Sequence, residues 1–356
     1  MNKSAVSSLI DEINSMTVEE IKIMEVCGTH TQMISRMGLR TLLSPNIRLL
    51  SGPGCPVCVS EENFIDNAVY LTDNDNVTIA TFGDMMRVRG TGSSLLEEKS
   101  KGKDVRILYS PLELIDMAEK NKDKNFVFLG VGFETTAPVI ALAIKNAAER
   151  NIENLFFLTS LKLMPPILHY IGRQTDNKIR GVICPGHVAS VTGSDYFRFI
   201  TDEYGISAAV CGFEAWDILT GIRYLVKQAV QGGIKEFKNL YPRSVKNEGN
   251  RTAVSLMNHV FEVGDGVWRG IGEIKNSSLQ INEKYKNFDA MNVFKLKNKF
   301  SDASTGCRCR DILLGNKTPF ECGFFGNQCS PANPHGPCMV SREGSCSIAF
   351  RYREGI

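Results

Sequence analysis

Eleven cysteines are the residues best suited to chemistry here, and six of them, Cys307, Cys309, Cys322, Cys329, Cys338 and Cys346, fall in the last 50 positions. The tail GCRCRDILLGNKTPFECGFFGNQCSPANPHGPCMVSREGSCSIAF separates Cys309, Cys322, Cys329 and Cys346 by twelve, six and sixteen residues. Four soft thiolates on loops rich in Gly and Pro suit an iron-sulfur cubane. Structural zinc is the rival, but zinc sites favour closely paired cysteines and this tail has no CxxC. The spacing departs from the common ferredoxin patterns too. In Cys307-x-Cys309 an extended backbone aims the two side chains apart. One of that pair is therefore expected as a ligand, Cys309 ahead of Cys307, and the choice stays open. Cys338 reads as a non-ligand thiol or as a buried small hydrophobe.

A second thiol set lies near the start. Cys55 and Cys58 in GPGCPVC have the spacing that closes a small reversible disulfide, so dithiol redox chemistry is expected, with half of a zinc site as the structural alternative. A helix soon after this turn lowers the thiol pKa through its dipole. Cys27 sits in VCGTHT, where Gly28 permits close backbone approach, Thr29 or Thr31 is placed to cap a helix, and His30 can ligate metal or carry a proton. A buried cysteine beside a capping threonine is the plainer reading. His187 in CPGHVASVTG, with caps expected at Ser190 or Thr192, either faces the same cleft or is a satisfied structural histidine. Cys184 and Cys211 lie inside apolar runs and read as core thiols. GVGFETTAP suits an anion at a helix start, yet it lacks the third glycine of a dinucleotide fingerprint. Its glycines serve equally to pack strand against helix, with Glu134 as a polar cleft residue. No Walker sequence occurs.

These residues need strand ends to hold them. IKIMEV, IRLL, VTIATF and VRILYS, then NFVFLGVG, NLFFLTS, RGVICPGH and SAAVCGFE, are apolar runs closed by Gly- or Cys-bearing loops. They alternate with helical segments at 61–71, 137–150 and 165–174, as in parallel α/β sheets. A helix over 215–231 closes at Gly232 and Gly233. The expected fold class is α/β, with two parallel-sheet α/β domains flanking a cleft and a C-terminal, mostly irregular or helical iron-sulfur domain. Boundaries are expected as 1–118, 119–234 and 235–356. Motifs at strand carboxyl ends then gather in one cleft.

Bulk properties set the outer limits. The 356 residues call for two or three cores, and 43% hydrophobic with 22% charged residues is the composition of a soluble globular protein. A net charge of +2 offers no field for nucleic acid or anionic lipid. No apolar run reaches membrane-span length and the start has no signal-peptide order, so a cytoplasmic protein is expected. In that reducing compartment the cysteines are not a disulfide framework.

Taken together, CGTHT at 27–31, GPGCPVC at 52–58, GFETTAP at 132–138, PGHVASVTG at 185–193 and the cysteine tail closely resemble the HypD family of hydrogenase maturation factors, over about residues 10–353. The resemblance implies two α/β domains and a third holding a 4Fe-4S cluster. It implies a cleft where iron bearing cyanide and carbon monoxide is assembled for nickel-iron hydrogenases. The implied partners are a HypC-type chaperone and HypE, which passes on cyanide made with HypF. Carried over by position, Cys27 becomes the transient iron ligand, Cys55 and Cys58 the redox dithiol, and Cys322, Cys329 and Cys346 cluster ligands, with Cys309 or Cys307 as the fourth. On that view His30 and His187 orient or protonate groups near the iron, and electrons pass between cluster and dithiol. A self-contained iron-sulfur and dithiol oxidoreductase acting on a small metabolite is the competing reading, and a zinc-bound interaction protein a third.

Overall fold

Each apolar run singled out above forms a strand in the computed structural model, which describes residues 3–16, 19–174, 178–297 and 306–352. The strands are β1 (Ile21–Glu25), β2 (Ile47–Ser51), β3 (Val77–Thr81), β4 (Val105–Ile107), β5 (Asn125–Gly132), β6 (Leu155–Lys162), β7 (Ile179–Pro185) and β8 (Ser207–Cys211). Three more follow: β9 (Phe237–Asn239), β10 (Phe261–Trp268) and β11 (Gly272–Ile281). Helices cover both faces of a parallel sheet, so its strands read as unbroken apolar runs, and β8 is buried along its whole length. The helix Ala215–Gln231 has the expected bounds. It starts at a capping box between Glu214 and Asp217 and ends where Gly232 turns to φ 67°.

The α/β class holds, and the strands sort into two sheets. One has the order β2-β1-β7-β8-β9 and is parallel throughout. The other has the order β10-β11-β6-β5-β3-β4, parallel from β6 to β4, with an antiparallel β10–β11 hairpin added along β6. The chain forms two compact units, one from residues 1–55, 167–251 and 306–356 and one from 56–166 and 252–305. The joins therefore do not fall at 118/119 and 234/235, where composition changes. Parallel pairing needs a crossover, and a crossover lets a chain leave a sheet and return to it much later. Here β1 pairs with β7, which is more than a hundred residues away. The stretch from 235 onward likewise contributes β9 to one sheet and a hairpin to the other. Only residues 306–352 have the irregular, short-helix character expected of the tail, with helices Cys309–Leu313, Pro337–Val340 and Ser345–Tyr352.

The first unit buries Ile21, Ile23, Ile34, Leu39, Ile183, Ile218, Ile222 and Leu225 in one core, which fixes β1, β7 and the helices over them. The second buries Phe126, Phe128 and Phe157, and Trp268, whose indole N–H donates to Ser277 Oγ at 2.9 Å. Among the described residues no helix is long and apolar enough to cross a membrane.

Ile23 is fully buried in the middle of β1, between β2 and β7. Truncation by Ile23→Ala should cost ~2–5 kcal/mol, read as a lower urea midpoint at unchanged slope. A loss under ~1 kcal/mol would contradict the burial assigned to β1.

Candidate metal and thiol site

Because the first sheet is parallel, the carboxyl ends of its strands share one edge. The chain winds outward to β2 on one side of β1 and to β8 and β9 on the other side of β7, so β1/β7 is the switch point where open α/β sheets bind ligands. Four loops leave that edge. Two are locked together: the Gly52 N–H donates to Glu25 O at 2.7 Å, and the Gly28 N–H to Gly54 O at 3.3 Å. A Cβ on Gly54 would lie 2.3 Å from the Cys27 nitrogen, so only glycine lets the second loop rest on the Cys27 backbone. Cys55, the next residue, is held beside Cys27 by that contact. Cys55 and Cys58 are joined in a disulfide, and the short helix Pro56–Val59 runs through the motif itself.

Cys27 is 8% exposed and forms the N-cap of the helix Gly28–Arg36, with extended φ −151° and ψ 122°. No side chain caps that helix, which corrects the expectation for Thr29 and Thr31. Those hydroxyls reach carboxylates instead: Thr31 donates to Glu25 Oε1 at 2.6 Å and Thr29 to Glu343 Oε1 at 3.0 Å. Burial pushes the Cys27 thiol up to about 12; the His30 and Thr29 N–H groups oppose the rise, and the Glu343 and Glu25 charges add to it. Glu25 is 1% exposed. Burial raises it to about 7, against hydrogen bonding from Thr31 and the charge of Arg40.

His30 is fully buried, and burial lowers it to about 4. Its Nε2 lies 2.9 Å from Gly212 O. The neighbouring Phe213 ring stacks on His30 at 4.6 Å and on exposed His187 at 3.8 Å. Cys27 and Cys55 thus lie in loops, and His30 and His187 in the first turns of the helices Gly28–Arg36 and Gly186–Thr192, at one sheet edge in one unit. Ser190 and Thr192 do not cap the helix Gly186–Thr192; they lie within it and donate back to His187 O at 2.7 Å and Val188 O at 3.1 Å. Cys184 and Cys211 are fully buried. The segment 130–136 belongs to the second unit, where a Cβ on Gly130 would meet Ile140 at 2.8 Å and one on Gly132 would meet Thr136 at 2.3 Å. These glycines make room for the helix Ala137–Glu149, and Glu134 accepts from the Met164 N–H at 2.8 Å.

In the tail, Cys307, Cys309, Cys322, Cys329 and Cys346 line a single cavity with Phe324, Phe325 and Met339. The divergence expected of Cys307 and Cys309 does not occur, because the backbone leaves the extended region at Arg308 (φ −95°, ψ 18°) and enters a helix at Cys309. Their sulfurs lie 3.2 Å apart. Hydrogen bonding from Cys307, Cys338 and Cys346 pulls the Cys309 thiol down and pushes its partners up. Cys338 is fully buried and hydrogen-bonds with Cys309. The His335 N–H donates to Cys329 Sγ at 3.3 Å, a bond that stabilises a thiolate. Among the described residues no three His, Cys, Asp or Glu side chains converge at single-ion spacing; these thiols surround a space. That donor set fits an iron-sulfur cluster.

The tail packs against the thiol loop. The helix Ser345–Tyr352, which carries Cys346, rests on the helix Gly28–Arg36, and a Cβ on Gly28 would lie 2.5 Å from Glu343 Cβ. Sequence reasoning missed Glu343, Glu25 and Phe213. Glu343 lay in the quoted tail and Phe213 in SAAVCGFE, but nothing in their spacing marks the contacts they make.

The family model described as "HypD: Hydrogenase formation hypA family" matches residues 4–353. A putative hydrogenase expression/formation protein of Methanocaldococcus jannaschii is 41% identical over 99% of this chain and 98% of its own length. The hydrogenase maturation factors HypD of Escherichia coli and Azotobacter vinelandii are each 39% identical, over 96% and 94% of this chain and 91% and 89% of their own.

Glu25 and His30 carry opposite pH signatures. The raised Glu25 contributes stability fully present below its ordinary 4.5 and lost as pH rises through about 7. The lowered His30 contributes stability present above 6.5 and lost as pH falls through about 4. The two offset each other in the wild type. Glu25→Gln should gain ~3 kcal/mol relative to wild type between pH 4.5 and pH 7 in denaturant titrations. Parallel curves for the two proteins would contradict the burial of an ionisable Glu25.

Proposed function

The chain belongs to the HypD family of hydrogenase formation proteins, and from that premise we propose that it serves hydrogenase maturation as a redox-active scaffold. On this reading it works with a HypC-type chaperone, and an iron carrying two cyanides and one carbon monoxide is assembled on it. HypE, supplied by HypF, delivers the cyanide. The observation that carries the reading is the contact of three thiol units around one loop: Cys27, Cys55 laid on its backbone through Gly54, and the cysteine tail pressed on Gly28 through Glu343.

Cys27 holds the cargo iron. Its buried thiol gives up a proton when the cation arrives, because a dry site tolerates the thiolate only when it is paired. Neutral His30 leaves a ring nitrogen without a proton at the same edge. Cys55 and Cys58 act as a two-electron store: two electrons and two protons open their disulfide to two thiols. Cys322, Cys329 and Cys346, with Cys309 or Cys307, hold a 4Fe-4S cluster, with the His335 N–H supporting Cys329. When bound, the cluster supplies single electrons close to the thiols. Residues 343–346 join the Cys346 position to the Gly28 contact by a short piece of chain, which keeps the two centres in fixed relation.

Iron and sulfide analysis after anaerobic isolation tests the division of labour. Cys322→Ala should lose most of both. Cys27→Ala should keep both and fail to support hydrogenase maturation in cells lacking the native protein. Normal maturation by Cys27→Ala would overturn the iron assignment, and wild-type iron and sulfide in Cys322→Ala would overturn the cluster assignment. Turnover of a small metabolite without partners would favour the self-contained oxidoreductase.

A further inference from the structure

One residue at the site has no assigned task, although it touches both imidazoles. Phe213 lies between His30 and His187, 4.6 Å from the first ring at 25° and 3.8 Å from the second at 21°. The residue before it binds His30 as well, through Gly212 O at 2.9 Å from Nε2. A carbonyl oxygen only accepts, so Nε2 carries the proton and donates, and Nδ1 bears the lone pair. That Nδ1 is fully buried and has no hydrogen-bond partner.

The Cys211 carbonyl acts on His30 as well, and hydrogen bonding at Nε2 alone leaves a ring free to tilt about the N···O direction. A ring stacked on its face removes that freedom. Phe213 is itself braced. Tyr241 meets it edge-on at 6.2 Å and 87°, and the Arg243 guanidinium covers Tyr241 at 4.6 Å. Asp217 grips Arg243 with two bonds of 2.7 and 2.6 Å from the first turn of the helix Ala215–Gln231. Gly212 completes the brace, since a Cβ there would lie 2.2 Å from Asp217 Oδ2 and 2.6 Å from Tyr241. The His30 ring is thus referred, through stacked and paired groups, to the longest helix of its unit.

We propose that Gly212 and Phe213 form a positioning clamp that fixes His30 as an acceptor-only imidazole at the Cys27 loop and separates it from His187. The carbonyl sets the tautomer, and the Phe213 ring sets the plane. With Nδ1 unprotonated and dry, His30 takes a hydrogen bond from a protic species entering the site and offers none there. Donation falls to His187, which is exposed on the far face of Phe213 and exchanges protons with solvent. Phe213 is a positioning residue that acts through the two histidines. Its assignment rests on the scaffold reading only for its effect on maturation, because the clamp is a property of the folded chain.

The test uses the anaerobically isolated full-length protein with nitrogen-15 histidine, five residues in all. Two-bond nitrogen–proton spectra report each tautomer, alongside melting temperature and hydrogenase maturation. Wild type and Phe213→Tyr, which keeps the stacked ring, should show His30 as a single Nε2–H tautomer and mature hydrogenase within about twofold of each other. Phe213→Leu fills the space without a ring face. It should melt near wild type, show mixed His30 tautomers, and lower maturation by about tenfold or more. If Phe213→Leu keeps the single tautomer and full maturation, Phe213 is packing alone and the clamp is overturned. If the tautomers change as stated while maturation does not follow them, the clamp stands and the scaffold reading of His30 fails.

Discussion

The parallel pairing of β1 with β2 on one side and β7 on the other is the constraint on which the rest depends. It brings Glu25, Ser51 and Pro185 to one edge, and the loops that follow have almost no freedom. Gly54 lies on the Cys27 backbone, and Gly28 lies under Glu343. Neither position has room for a side chain, so the thiol loop, the disulfide loop and the tail are held by backbone contact. On the proposed reading electrons and ligands are exchanged among three sulfur centres, which needs distances that do not drift, and close-packed backbone provides that better than long side chains do.

Burial then decides the chemistry. The same dry environment raises Cys27 and Glu25 and lowers His30, so at neutral pH Cys27 and His30 are uncharged and Glu25 is about half ionised. On the proposed reading such a site waits for a cation, and binding the metal supplies the charge that lets the thiol ionise. The tail follows another rule. Its thiols hydrogen-bond through Cys309, and Cys307, Cys309, Cys322, Cys329 and Cys346 line a common space.

Much of this was legible in the sequence, and the misses have physical causes. Apolar runs ending in Gly or Cys located the strands around the site, and GPGCPVC and CGTHT gave its thiols. Sheet membership was not legible, because β1 and β7 are joined by hydrogen bonds that leave no mark on composition. Local spacing suggests the threonines as helix caps; they are claimed instead by Glu25 and by Glu343, which is more than three hundred residues away. Phe213 read as one more apolar residue because a stack on two histidines is a purely tertiary fact. An extended backbone would make Cys307 and Cys309 diverge, and the turn at Arg308 turns them toward each other.

Infrared spectroscopy tests the central claim most directly. The protein, isolated anaerobically from hydrogenase-forming cells with the HypC-type partner proposed for it, should show bands of metal-bound cyanide and carbon monoxide, and Cys27→Ser should lack them while keeping its iron and acid-labile sulfide. The same bands at full strength in Cys27→Ser would contradict the account, since the ligated iron would then be held elsewhere.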